Sequence, residues 1–284
     1  MVLPIPTTAG DPLLVHEQRV VEVEPFLPGS GAAESWPAYE AAFAVLGQLH
    51  GVLAAYARPY ALPPPRVEHY GPPMTLLDWV ARTRRRIQQA RAGAGDAAVR
   101  VCDDATQILT CLHRWWNERG RYLPRHLVHG DYGVGNLVWA HKRIAAVGDF
   151  DFLAVHERVC DLAYAAFWMF ERLEATRASA NRSWPMLSSM IASYTATHRQ
   201  PLTLHERRAI PLEMARVPVY WIAEAAFLDD PVDAVMSRAA SVAAARWILD
   251  NASDLGGLTY VFTSLGARLR CPTMRPACRE TRSR

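Results

Sequence analysis

The 284-residue chain is half hydrophobic and carries 31 basic against 28 acidic side chains, a formal charge of +3. That length allows one or two domains with a sizeable core, and so mild a charge argues against nucleic acid as a main partner. The five cysteines are odd in number and irregularly spaced, without a CxxC pair, which excludes a disulfide framework or zinc site as the organising principle. No signal peptide and no apolar run of about 18 residues stands out, so a soluble cytoplasmic protein with no membrane partner is expected.

In residues 1–29 two Val- and Leu-rich runs, PLLVHEQ and RVVEVEPFL, sit between Gly and Pro breakers and predict a short antiparallel piece. Ser35 and Pro37 then start a helix, with Trp36, Tyr39, Phe43, Leu46, His50 and Leu53 on one face to about Tyr56. The proline-rich stretch 58–73 reads as loop, 74–91 as helix, and about 97–118 as a second helix with Val101, Ile108, Leu109, Leu112 and Trp116 inward. Between 126 and 153 a polar loop, HLVHGDYGVGN, precedes two short apolar runs around the polar turn HKR, a β-hairpin. Helices resume after about Glu157 and run to about Asn251, punctuated by Pro185, Pro201, Pro211, Pro218 and Pro231. The Arg-rich tail from about Arg268 reads as disordered. The layout is α+β, with the polar interruption at 126–153 as the place for chemistry.

That interruption contains His129, Asp131 and Asn136 in the pattern H-x-D-x-x-x-x-N. Such a loop lets Asp131 accept the proton of an attacking hydroxyl and Asn136 hold Mg²⁺. Gly133 and Gly135 are expected to permit the tight backbone. Thirteen residues after Asn136, at the end of the second hairpin strand, Asp149 is placed to share the same hard cation, which favours oxygen ligands.

The segment HLVHGDYGVGNLVWAHKRIAAVGDFDFLAVHERVCDLAYA resembles the aminoglycoside phosphotransferase family, which includes choline kinase-like and homoserine kinase-like enzymes. The resemblance implies a protein-kinase-like fold. Residues 1–29 would be the remnant of a truncated β-rich N-lobe with its hinge, and 35–252 a helical C-lobe. It implies ATP or another NTP and Mg²⁺ as cofactors, and a hydroxyl of a small metabolite or antibiotic as acceptor. By position, Asp131 resembles the catalytic base, Asn136 and Asp149 the Mg²⁺ ligands, and Asp161 the carboxylate that braces the catalytic loop. The run EVEPFLPG resembles the last N-lobe strand and hinge, with adenine meeting the backbone near Glu24 to Phe26.

Other residues divide between structural and functional readings. His129 reads as a structural hydrogen-bonder and His50 as a satisfied core histidine. Asp151 is either an accessory metal ligand or a residue facing substrate. Tyr164, Trp168, Tyr220 and Trp221 have helical spacing and read mainly as core, with at most one of them, such as Trp168, touching substrate. Glu224, Asp229 and Asp230 are either a solvated helix end or the place where a cationic substrate is met.

Lys142, in the hairpin turn, is the only lysine, so no strand lysine precedes the catalytic pattern to anchor phosphate. Arg19 is no simple replacement for such a point charge. Two expectations follow. Either the start lies upstream and this form binds Mg-ATP weakly, or the chain is a non-catalytic, pseudokinase-type binding module. No GxSxG elbow supports a hydrolase.

Overall fold

Two short strands, β1 (Leu14–His16) and β2 (Arg19–Val21), pair antiparallel, with Leu14 opposite Val21, and all six residues are exposed. This is the antiparallel piece expected there. The computed structural model describes residues 5–29, 34–55, 70–89 and 95–258; the expected loop over 58–69 and the tail from Arg268 lie outside them.

Helix α1 (Trp36–Ala54) starts where Ser35 caps it, the hydroxyl accepting from Ala38 N at 3.4 Å, with Pro37 in the first turn. It buries Tyr39, Phe43, Leu46, His50 and Leu53, the face that the spacing of apolar residues marks. Gly47 lets α1 close on helix α5 (Pro185–Thr197), because a Cβ there would collide with Thr197 and the Tyr194 carbonyl. Helices α2 (Pro73–Gln89) and α3 (Gly95–Glu118) follow, both amphipathic and packed on each other.

The middle of the chain holds more strand than its sequence suggests. Residues Arg125–Val128 form β3, which pairs antiparallel with β6 (Ala154–Glu157), His126 opposite His156. Between them lie β4 (Leu137–Ala140) and β5 (Arg143–Val147), the expected hairpin. Its turn has two residues rather than three: His141 and Lys142 both take positive φ, and Arg143 already belongs to β5.

Helix α4 (Val159–Glu174) is buried along nearly its whole length. It packs on α6 (Leu204–Glu224), the central helix, which also meets α2, α3, α8 (Ala239–Asp250) and α9 (Ala252–Leu258). Pro185 and Pro231 open α5 and the short α7 (Pro231–Met236), as punctuation should. Pro211 and Pro218 do not punctuate; both lie inside α6. Isolated prolines break helices by removing a hydrogen bond, but burial on several sides compensates here. Thr203 and Glu206 form a capping box at the start of α6. Glu206 also takes a two-pronged ion pair from the buried Arg158, at 2.5 and 3.0 Å, which ties the β6–α4 junction to the central helix. The result is an α+β protein with a β-rich N-terminal region and a largely helical C-terminal body.

Candidate active site

The loop after β3 is built around Asp161, which projects from the first turn of α4 and is fully buried. Its carboxylate accepts from His129 N (2.8 Å), Gly130 N (3.0 Å), His50 Nε2 (2.9 Å) and the Tyr70 hydroxyl (2.9 Å). Burial alone would raise its pKa, but the bond and charge of His50, with His129 and Tyr70, hold it down to about 2. Asp161 thus fixes two successive backbone amides of the polar loop. His50 is the satisfied core histidine expected, its other ring nitrogen 3.0 Å from the Tyr194 hydroxyl.

Gly130 is the residue the turn requires. Its φ is +85°, and a Cβ there would collide with the Phe152 carbonyl. The expectation placed that need at Gly133 and Gly135. Gly133 is instead extended, and a side chain at Gly135 would meet open space. Tyr132 then anchors the loop to α1, its buried hydroxyl donating to the Ala42 carbonyl at 2.7 Å.

Asp131 and Asn136 are brought together. The Asn136 amide nitrogen donates to the Asp131 carbonyl (2.8 Å) and to its carboxylate (3.0 Å), which leaves the amide oxygen as the atom free to meet a cation. Burial, together with the nearby Asp131 carboxylate, pushes the Tyr164 hydroxyl on α4 up. His129 bridges to the hairpin: Nε2 donates to the Gly148 carbonyl at 3.0 Å, and Nδ1 accepts from Asp131 N at 3.3 Å. Gly148 N in turn donates to the Asn136 carbonyl at 2.9 Å. Both backbone groups of Gly148 are therefore held by the loop, and Asp149 is the next residue.

Asp149 lies just past β5, in the left-handed region with φ 57°. That backbone is costly for an L-residue and persists only where its surroundings impose it. Its side chain is exposed, and among the described residues its carboxylate makes no hydrogen bond or ion pair. Asp131 and Asn136 are half-buried, so the group opens to solvent. One amide oxygen and one or two carboxylates on rigid neighbouring segments suit a hard divalent cation that keeps its remaining sites for phosphate and water.

The other predicted residues are more scattered. Asp151 is exposed, two residues beyond Asp149. Glu24 and Phe26 are exposed, Phe26 at 90%, in the stretch that leads to Gly29, where a Cβ would stand 3.5 Å from the Trp139 carbonyl of β4. Trp168 and Glu224 are half-buried on α4 and α6. Asp230 caps α7 through Val232 N and Asp233 N, both at 3.0 Å, the helix-end reading. Sequence reasoning missed Tyr70 as a partner of Asp161 and Tyr164 as a neighbour of Asp131. Tyr164 lies one helical turn after Asp161, a spacing that places both on one face of α4.

Comparison with known proteins comes at this point. The profile of the phosphotransferase enzyme family matches residues 4–191. No curated protein sequence matches. Among solved structures, an aminoglycoside phosphotransferase from Alicyclobacillus acidocaldarius superposes with a TM-score of 0.66 at 16% identity, covering 90% of this chain and 77% of that one. An amicoumacin kinase in complex with AMP-PNP, Ca²⁺ and Ami gives 0.56 at 15%, covering 84% and 70%. A choline kinase from Cryptosporidium parvum gives 0.54 at 12%, covering 84% and 74%. At such identities the likeness is one of fold.

Proposed function

The chain belongs to the phosphotransferase enzyme family, and from that premise we propose that it transfers the terminal phosphoryl group of ATP, or of another nucleoside triphosphate, to a hydroxyl of a small molecule. The observation that supports this reading is the double hold on Gly148, the residue before Asp149, by Asn136 and His129, together with the Asn136–Asp131 contact.

In this reading Asp131 orients the acceptor hydroxyl and takes its proton, while the Asn136 amide keeps its carboxylate aimed. The Asn136 amide oxygen and the Asp149 carboxylate would hold Mg²⁺, which when bound offsets charge on the phosphate oxygens. His129 does no proton transfer; it positions Asp149 through Gly148 and Asp131 through its own ring. Asp161 carries the loop as a whole. Residues 22–29 would serve as the hinge between a nucleotide-gripping lobe and the 35–252 body, with Glu24 and Phe26 presenting backbone to the base.

Asp131→Asn tests the assignment. A positioned base contributes about 10²–10⁴-fold, so ADP release with Mg-ATP and an accepted alcohol should fall by at least that lower factor at unchanged Tm. Unchanged turnover in the variant removes Asp131 from the role.

A second reading draws on one observation: the sole lysine, Lys142, is in an exposed turn, and Arg19 is exposed on β2. A chain without a phosphate-anchoring lysine would bind nucleotide weakly and act as a binding module. Ordinary micromolar Mg-ATP affinity by calorimetry would speak against it.

A further inference from the structure

Where β6 ends and α4 begins, three side chains of metal-binding type converge. Glu157 is the last residue of β6, His156 precedes it, and Cys160 lies in the first turn of α4. Among the described residues, only these bring His, Cys, Asp or Glu ligand atoms together as a group of three, a ring nitrogen, a carboxylate oxygen and a sulfur all within 4.8 Å of one another. None of them belongs to the Asp131, Asn136 and Asp149 group. No CxxC pair announces the cluster in the sequence, because its donors are of three kinds.

The spacing suits a small ion. Two nitrogen or oxygen ligands of tetrahedral zinc, each about 2.0 Å from the metal, stand about 3.3 Å apart. His156 Nδ1 and Glu157 Oε2 are 3.3 Å apart. That is longer than the roughly 2.8 Å of a good charge-assisted hydrogen bond, so the contact gives little as it stands.

Each donor is also oriented from behind. Glu157 gives its other oxygen, Oε1, to Arg125 Nε at 3.1 Å. The Cys160 sulfur accepts from Arg216 Nη2 at 3.2 Å. Arg216 is itself fixed by Glu213 and by the carbonyls of Tyr70 (2.8 Å) and Gly71 (3.2 Å). A guanidinium donating to sulfur favours the thiolate, the form that binds metal. Tyr70 meets the His156 ring edge-on, with centroids 5.6 Å apart. Glu157 and Cys160 are buried, while the His156 side chain keeps 15% of its surface exposed, which leaves the cluster a way to solvent. Arg125 and Arg216 already balance Glu157 and Glu213, so a dication joined by one new thiolate adds a single net charge.

Nitrogen, oxygen and sulfur donors together suit zinc, whereas magnesium takes oxygen. We propose that His156 Nδ1, Glu157 Oε2 and the Cys160 sulfur bind a Zn²⁺ ion, with water in the fourth position, and that the ion clips β6 to α4. On binding, the Cys160 thiol gives its proton to solvent and His156 keeps its ring proton on Nε2. Asp161 follows Cys160 directly, and Tyr70 touches both His156 and Asp161, so the clip stiffens the support of the polar loop. The inference stands whether or not the chain transfers phosphate.

The test uses the untagged full chain, stripped with a chelator, and Co²⁺ as an optical probe for the Zn²⁺ position. Co²⁺ should bind with a thiolate-to-cobalt charge-transfer band in the near ultraviolet, and Zn²⁺ should displace it and raise Tm. Cys160→Ser should remove the band. His156→Phe, at the partly exposed position, keeps the test open if the buried cysteine variant fails to fold. It should weaken Zn²⁺ binding by at least the roughly 100-fold that loss of even an outer partner can cost. Asp149→Asn should leave both band and affinity unaltered, which separates this ion from any at the candidate active site. No charge-transfer band, a band that survives Cys160→Ser, Zn²⁺ affinity unchanged by His156→Phe, or affinity lost in Asp149→Asn overturns the proposal.

Discussion

Hairpins β1–β2 and β4–β5 turn through the same backbone. Glu17 and Gln18 have φ of 47° and 63°, and His141 and Lys142 have φ of 49° and 63°. Positive φ at both central residues is the signature of the type I′ turn, whose twist suits antiparallel strands. Their surroundings could hardly differ more. Every strand residue of the first hairpin is exposed, Val15 at 71% and Val20 at 66%. The second buries Leu137, Trp139, Ala146 and Val147, and runs straight into the Gly148 hold that places Asp149. Turn chemistry makes a hairpin, whereas what the hairpin packs against makes it part of a site. Two strands without a covered face contribute little stability of their own.

The largest effect should come from the support beneath the second hairpin. Asp161→Asn puts an amide donor among four donors, so the network is broken where no water can repair it. A loss of about 3–5 kcal/mol is expected, read as a fall in Tm on the order of 10 °C. Val20→Thr on the exposed first hairpin should stay within about 0.5 kcal/mol. Comparable losses from the two would dissolve the contrast. Acid should reveal the same support. His126, paired across β3–β6, is pushed down by burial from 6.5 to about 4. The unfolded chain therefore protonates first, and stability is lost as pH falls from about 6.5 to 4. The depressed Asp161 carboxyl adds a further loss between its ordinary 3.8 and about 2. His126→Phe should flatten the upper part of the Tm–pH curve and leave the lower part.

The glycines give an intermediate effect. Gly130→Ala pairs a left-handed backbone with a collision at Phe152 and should cost about 2 kcal/mol or more, whereas Gly135→Ala should leave Tm nearly unchanged. This ordering is the reverse of what the sequence alone suggests. Residue types and their spacing were enough to mark Asp131, Asn136, Asp149 and Asp161 as candidates, because a loop that brings a carboxylate and an amide together leaves a local pattern. The α1 face and the second hairpin were legible for the same reason. Which glycine bears the strain was not legible, since φ at Gly130 is set by Phe152, far along the chain. Strands β3 and β6 escaped notice because each is too short to show alternation, and their pairing is long-range. Pro211 and Pro218 misled because local propensity yields to a helix buried on several sides.

The smallest effect addresses the turns themselves. Neither Glu17–Gln18 nor His141–Lys142 is a favoured occupant of two consecutive left-handed positions; Asn-Gly is. Replacing His141–Lys142 by Asn-Gly should relieve strain in a hairpin that unfolds with the body. A gain of about 1 kcal/mol is expected, a rise in Tm of about 2 °C. The same replacement at Glu17–Gln18 relieves equal strain, but in a segment whose strands are not buried against the core. Its benefit should appear as slower amide exchange at Val15 and Val20, with no movement of the global transition. If both replacements raised Tm equally, the first hairpin would be coupled to the core after all. Its exposed Val and Leu side chains would then have to be packed in solution against something that couples them to it.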